Sequence, residues 1–332
     1  MPAPAYTMTI GGQVVDTTDD PRTSTVVTLT VALALGTPAD SFSLTVGEVG
    51  TWRPRRTDAA TIALGYAGDP HPPTPVVTGT VDTVESGLTT MRVIGYSGST
   101  ALLHPPVEQT YEDKTAGAIV RDLASQAGVT VDTVADGPQF PAYVVDGRRG
   151  VYYHMQDLAA LIGYDLYLTP AGTLVFAPFT GGRTVHVLEY ARHLLALEVW
   201  RLPPAASQVE AWGESPAGSR GIEAWAGLTK DFSGAMGRAG SGARLLLERP
   251  ALRTPALARA AAAATLAGIQ RAAVRGTLCT YGQPQIGLGD AILLRGLPDA
   301  SLNGRYQVGA VTHRITKHDG FTTTVAFHAI AG

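Results

Sequence analysis

Cysteine is almost absent from this chain. Cys279 is the only one in 332 residues, so no intrachain disulfide and no thiolate metal cluster can form, a usage that fits a reducing compartment. Lysine is nearly as scarce, present only at Lys114, Lys230 and Lys317; the remaining basic charge is arginine, and with the abundant alanine this reads as genome composition. Charged residues make up 16% of the chain with a net charge of -3, too balanced for a nucleic-acid binder, and the expected partners are proteins. No run approaches the roughly 20 apolar residues of a membrane span. The start, "MPAPAYTMTIGG", has neither the basic nor the apolar region of a secretory signal, so the chain is expected to be made and kept in the cytoplasm.

What is present is β patterning. The length suits two or three domains, since a single core rarely grows past roughly 250 residues, and 45% hydrophobic residues are those of a globular protein. Thr25 to Leu35 alternates, with Val27, Leu29, Val31, Leu33 and Leu35 on one side. Similar runs follow at Phe42 to Val46, Ile62 to Tyr66, Val76 to Val84 and Thr89 to Ile94, separated by Gly, Pro, Asp and Ser clusters. Residues 1–105 read as a first β-barrel.

The period then changes. In "TYEDKTAGAIVRDLASQAGV" Ala116, Ile119, Val120, Leu123 and Ala127 have helical spacing, closed by Gly128. "HMQDLAALIG" repeats the device with Met155, Leu158, Ile162 and Gly163, and "YDLYLTPAGTLVFAP" predicts a hairpin around Thr169-Pro170-Ala171-Gly172. Residues 106–185 thus read as an inserted α/β module. In 186–332 strands are expected at Leu194 to Trp200 and Ser207 to Trp212, then a Gly-rich stretch over 213–243 with no period, read as a long loop or a segment ordered by a partner. An Ala-rich helix is expected over 255–275, with Thr254 as its N-cap, Pro255 at its first position and Gly276 after its end.

The first and last β regions echo each other. Gly79, Val81 and Val84 in "GTVDTV" have the spacing of Tyr306, Val308 and Val311 in "YQVGAV", and the odd step between the paired valines predicts a β-bulge in each. "DAATIALG" from Asp58 resembles "DAILLRG" from Asp290, and "GLTT" from Gly87 resembles "GFTT" from Gly320. A duplication gives a mainly β fold with an α+β insertion: two related antiparallel β-barrels around a small α/β module. Three such chains around a three-fold axis present six near-equivalent faces, enough to meet a six-fold ring.

"VVTGTVDTV", "TYEDKTAGAIVRDLASQAGV", "GYDLYLTPAGTLVFAP" and "GTLCTYGQPQIGLGDAILLRGLPDASLNGRYQVGAVTHRITKHDGFTTTVAF" together resemble one family. It is that of the baseplate hub proteins of contractile phage tails, of the late control protein D type, and of related contractile injection systems, including the N-terminal part of the VgrG spike proteins. The first twenty residues and 213–243 fall outside the resemblance. It implies a homotrimer, a pseudo-six-fold ring beneath the inner tail-tube protein, with other baseplate proteins and a tape-measure protein or cargo as further partners. Since the sequence ends at Gly332, directly after the second barrel, the resemblance also implies a spike carried by a separate protein. Such a chain ends up in the baseplate of a phage-tail-like particle.

The sequence offers no catalytic constellation. "GYSGS" and "GESPAG" miss the nucleophile-elbow spacing, and the adjacent acids Glu112-Asp113 and Asp19-Asp20 read as caps and solvated charge. His313, His318 and Asp319 lack a further ligand, so neither metal nor cofactor is expected, and the chain is read as a structural protein rather than an enzyme. Interface candidates are Val77, Val81, Val84, Tyr306, Val308, Val311 and His313 on the barrel strands. To these are added the basic group Arg53, Arg55 and Arg56, facing an acidic neighbour, and Trp225, in a cluster with Trp200 and Trp212 that core packing also explains. A glycan-acting tail protein and a hub of a non-contractile tail stand beside the hub reading.

Overall fold

Small and β-branched residues alternating with Leu, Val and Ile build the first unit. The computed structural model describes residues 3–21, 24–47, 52–104, 106–216, 228–230 and 236–330. Its opening strands are β1 (Pro4–Ile10), β2 (Gln13–Asp16), β3 (Val26–Ala34), β4 (Ser41–Gly47), β5 (Ala59–Tyr66), β6 (Thr74–Ser86) and β7 (Thr90–Ser97). They pair in the order β3-β4-β7-β6-β5-β1-β2, antiparallel throughout, around a core that includes Met8, Leu29, Val31, Phe42, Leu44, Ile62, Leu64 and Val93. The β1–β2 hairpin, in the stretch without a match, turns on Gly11 and Gly12, both at positive φ. A register shift between Val26 and Thr28 turns Val26 inward and leaves Val27, expected on the core face, 39% exposed.

The middle of the chain forms a second body: β8 (Gln109–Thr115), α1 (Ala116–Gln126), β9 (Val131–Val134), β10 (Gln139–Val145), α2 (Val151–Ile162), β11 (Tyr164–Leu168) and β12 (Leu174–Pro178). Thr115 caps α1 by accepting from the Ala118 N–H at 3.1 Å, and α2 ends on Gly163 at φ 75°. The hairpin turn lies where the sequence places it, with Leu168 opposite Leu174.

The remaining strands are β13 (Val185–Glu189), β14 (Leu194–Arg201), β15 (Gln208–Trp212), β16 (Glu214–Pro216), β17 (Leu228–Lys230), β18 (Gly237–Gly240) and β19 (Arg244–Glu248). Then come α3 (Pro255–Ala272), β20 (Val274–Tyr281), β21 (Ala291–Arg295), β22 (Gly304–Thr316) and β23 (Gly320–Ala329). The stretch 213–243 is thus not wholly loop, since β16 pairs with β17 and β18 with β15. The Ala-rich helix stops at Ala272, and Gly276 lies inside β20, where a side chain would run into Phe327 and the Glu198 carbonyl.

Strands β14, β20, β23, β22, β21 and β13 wrap a separate core that includes Leu188, Leu278, Ile292, Val308, Val311, Val325 and Phe327. Apart from β2, which has no counterpart, the two units correspond strand for strand and in the same chain order: β1, β3, β4, β5, β6, β7 with β13, β14, β20, β21, β22, β23. The outermost pair departs, because β1 runs antiparallel to β5 whereas β13 runs parallel to β21. Residues 202–273 interrupt the second unit between the counterparts of β3 and β4. Their buried Val209, Ala211, Leu257, Ala258, Ala261 and Ala262 join the core of the middle body, so the expected assignment of α3 to the second barrel does not match its packing.

Matching detail is atomic. Both predicted bulges are present, between Val81 and Thr83 and between Val308 and Ala310. The Val81 N–H donates to the Asp58 carbonyl at 2.9 Å, and the Val308 N–H to that of Asp290 at 3.1 Å. Each aspartate also caps its own turn, Asp58 accepting from the Arg55 N–H at 2.8 Å and Asp290 from the Gly287 N–H at 3.1 Å. Across the central ladder, Leu29, Leu44, Val93 and Val84 stand opposite one another in sequence; Leu197, Leu278, Val325 and Val311 do the same. Even an aromatic–glycine pair recurs with its partners exchanged: Phe42 covers Gly95 in one unit, Phe327 covers Gly276 in the other.

The "GLTT"/"GFTT" echo is different. Leu88 sits at the tip of the β6–β7 hairpin and is 98% exposed, whereas Phe321 is a buried strand residue against Tyr66, with ring centroids 5.6 Å apart. Counted from the equivalent valines, the β22–β23 ladder runs three residues farther than that of β6–β7, so the two runs are not in register.

One position distinguishes the copies energetically. The residue before the turn aspartate is left-handed in both, Thr57 at φ 73° and Gly289 at φ 84°. Thr57→Gly removes roughly 1–2 kcal/mol of left-handed strain against up to about 1 kcal/mol of glycine entropy, for a net gain of about 0.5–1 kcal/mol. Gly289→Thr is expected to cost more than about 2 kcal/mol, since its side chain would also overlap Tyr167. Denaturant midpoints of the two variants check the pair.

Candidate assembly interface

Alternation along β6 and β22 decides which candidate residues reach a surface. Val77, Val81, Tyr306, Val308, Val311 and His313 lie on the inward face and are all under 8% exposed, so they are core rather than contact residues. Tyr306 packs on Phe327 and donates its hydroxyl to the Leu302 carbonyl at 2.9 Å. A charge at Val308 would therefore report on folding, not on assembly. Only Val84 among these valines is half-buried.

The outward groups lie elsewhere. Arg53, Arg55 and Arg56 are exposed on the turn before β5, and Arg56 reaches Asp82 at 3.6 Å, beside the outer part of β6. Trp225 lies outside the described residues. Trp200 is 43% exposed on β14 and lines an open, mostly apolar groove of about 670 Å³ with Leu35, Arg271, Arg275, Phe327 and His328.

What the strands do leave open is backbone. Beyond Thr80, β6 has lost β5, and among the described residues Thr83 to Ser86 pair on one side only, with β7. β14 pairs with β20 on one side and, among the described residues, with nothing on the other. The corresponding half of β22 is not open: Ala310 to Thr316 pair with Ala34 to Thr28 of β3, which fuses the two units into one continuous sheet. Sequence reading found β14 by its period but not its open edge, because a strand's neighbours are set by topology.

His313 sits at that junction. The Thr323 hydroxyl oxygen accepts from the Gln283 N–H at 2.9 Å and shares a further hydrogen bond of 3.0 Å with His313 Nδ1. Burial disfavours the cation and, only partly offset by the Ile286 carbonyl, pushes the ring pKa down to about 4. His318 is on an exposed turn with Asp319 at 2.7 Å, well apart from His313 in environment.

Buried acids are tied down by the fold. Burial raises Asp40 and Asp165 to about 6 each; Asp40 accepts from the Ala34 N–H at 3.1 Å and Asp165 from Gln307 Nε2 at 2.6 Å. Asp290 accepts from Thr184 and Gly287 N–H groups and pairs with His186 Nε2 at 2.9 Å. Asp40 and Asp290 border the same cleft of about 240 Å³, each engaged in holding a turn. No group of three or more potential metal ligands occurs among the described residues.

This architecture is that of tail proteins. The 43 kDa tail protein of prophage MuSo2 from Shewanella oneidensis superposes with a TM-score of 0.74 at 13% identity, covering 98% of each chain. The tail protein of Neisseria meningitidis gives 0.73 at 13% identity, over 98% of this chain and 96% of that one. A type VI secretion component of Escherichia coli, described as similar to the phage T4 tail proteins gp27 and gp5, gives 0.60 at 11% identity over 98% of this chain and 76% of its own. No family profile and no curated protein matches by sequence. The resemblance read from the motifs is thus matched by a shared fold: curled antiparallel sheets with small helical insertions, as in phage tail and hub-like proteins.

His313 sets a testable pH dependence. Its depressed folded pKa contributes stability that is present above pH 6.5 and lost as pH falls toward 4, because only the unfolded ring takes up a proton in that window. Relative to His313→Gln, the wild type should lose roughly 3 kcal/mol between those limits. Asp40 and Asp165, with raised pKa values, act oppositely, losing stability as pH rises through about 6. Urea unfolding of both proteins across this range isolates the histidine.

Proposed function

We propose that this protein is the structural baseplate hub of a contractile tail or injection particle. Three copies form a ring of six related units that joins the six-fold inner tube to a three-fold central spike. The observation that carries the reading is the correspondence of the two units down to bulge, turn aspartate and core ladder, in a chain whose fold is that of tail proteins. Two units per chain are what a three-fold assembly needs to offer six near-equivalent faces to a six-fold ring.

The work of such a hub is mechanical. Thrust from contraction passes through sheets whose hydrogen bonds run continuously from β14 to β2, while the tube protein, other baseplate proteins and a tape-measure protein or cargo meet its faces. A chain of the Francisella PdpA–VgrG complex shares the fold over 58% of its length, with a TM-score of 0.56 at 7% identity, which supports an injection-system setting as well as a phage one. The protein acts within the assembled particle, by geometry rather than by catalysis.

Native mass, measured by light scattering after gel filtration with and without a candidate spike, is expected to be that of a trimer in at least one condition. A strict monomer in both would overturn the reading. A sheath gene beside this one is the expected genomic setting; its absence would favour a non-contractile tail.

A further inference from the structure

The junction inside the chain is half of a repeating pattern. The second unit's long strand, β22, parts from β21 at the bulge while keeping β23, and its outer half pairs with β3, the edge strand of the first unit. By the correspondence above, β6 is the counterpart of β22 and β14 that of β3. Among the described residues both have their equivalent edges open, Thr83 to Ser86 on β6 and the outer side of β14. One chain therefore carries one closed junction and the two unmatched halves of a second.

We infer that β6 of one copy pairs antiparallel with β14 of the next, as β22 pairs with β3 within the chain. The inference rests on the ring reading above and specifies its contact. Transferring the observed register through the equivalent valines places Thr83 opposite Leu202, Val84 opposite Arg201, Glu85 opposite Trp200 and Ser86 opposite Val199 of the neighbour. Two residues farther, Leu88 at the hairpin tip meets Leu197, as Ile315 meets Leu29 inside the chain.

Burial supports this independently of topology. Leu29, Val31 and Val311, which line the closed junction, are at most 1% exposed. Their counterparts Leu197, Val199 and Val84 are only half-buried, and Leu88, the counterpart of the buried Ile315, is 98% exposed. The open edges lack the cover that the closed one has, and a second copy of this chain supplies it, with Val84, Leu88, Leu197 and Val199 in the places of Val311, Ile315, Leu29 and Val31 and Arg201 in that of Leu33. Pro203 stands where Leu35 donates to the Gly309 carbonyl at 2.9 Å, so the intermolecular ladder ends one bond earlier than the internal one. The contact is head-to-tail and closes only as a ring.

The test uses the full chain carrying Cys279→Ala with Glu85→Cys and Trp200→Cys, both exposed positions on one face. Mild oxidation is expected to give covalent dimers and trimers on a denaturing gel, and Glu85→Cys with Val199→Cys, one residue out of register, is expected to give none. Leu88→Asp should weaken association about tenfold or more, with an unchanged circular dichroism spectrum because Leu88 lies in solvent. A trimer by light scattering that fails to cross-link at 85 and 200, or that tolerates Leu88→Asp, overturns this strand pairing and leaves the ring standing on another surface. A chain that is monomeric with and without the spike overturns both.

Discussion

One strand has to satisfy two sheets, and the fold depends on how it does so. β22 gives Gly304 to Gln307 to β21 and Ala310 to Thr316 to β3, and keeps β23 along almost its whole length. Side chains in a strand alternate with period 2, so Val308 and Val311, three residues apart, both face inward only if one residue is left over between them. Gly309 is that residue; it has no side chain to place, and its carbonyl accepts from the Leu35 N–H at 2.9 Å. Remove the extra residue and either the second core or the junction loses its apolar face. In β6 the same role falls to Asp82, whose side chain lies in solvent.

The middle body is held by this frame rather than beside it. Tyr152 donates to the Thr37 carbonyl at 2.7 Å and Gln156 to that of Gly36 at 3.0 Å, both in the turn that follows β3. From the other side Gln307, on β22, donates to Asp165 at 2.6 Å. α3 completes the arrangement by being small. Ala258 lies so close to the Gly237 backbone that a side chain there would overlap it, which is why an alanine-rich helix can cover β15 and β18.

Much of this was legible in the sequence, and the limits have a physical pattern. The elements, the hairpin at Thr169–Gly172, the caps at Thr254 and Gly163 and both bulges follow from local period and turn chemistry, which a single sequence carries. The equivalence of Asp58 with Asp290 was legible too, because each aspartate makes bonds within its own turn and ladder. The "GLTT" echo misled because two Thr residues after Gly suit either a hairpin tip or a strand, and only pairing tells Leu88 from Phe321. The interface valines misled for a related reason: strand alternation marks the core face, whereas an edge is a property of backbone and shows in no side-chain pattern. The core shared by α1, α2 and α3 depends on contacts between segments roughly a hundred residues apart, beyond the reach of any local period.

In the ring proposed above, the unequal hairpins would form a clock face. The β22–β23 ladder outruns that of β6–β7 by three residues, about 10 Å of strand. Around a closed set of three chains, three tall tips would then alternate with three short ones. A six-fold partner seated on the sheets alone would find six equivalent settings, but one that touches the tips would find only three. In that proposed ring the small asymmetry left between the two copies would act as an index mark, fixing at which angle the layer above stands relative to the layer below.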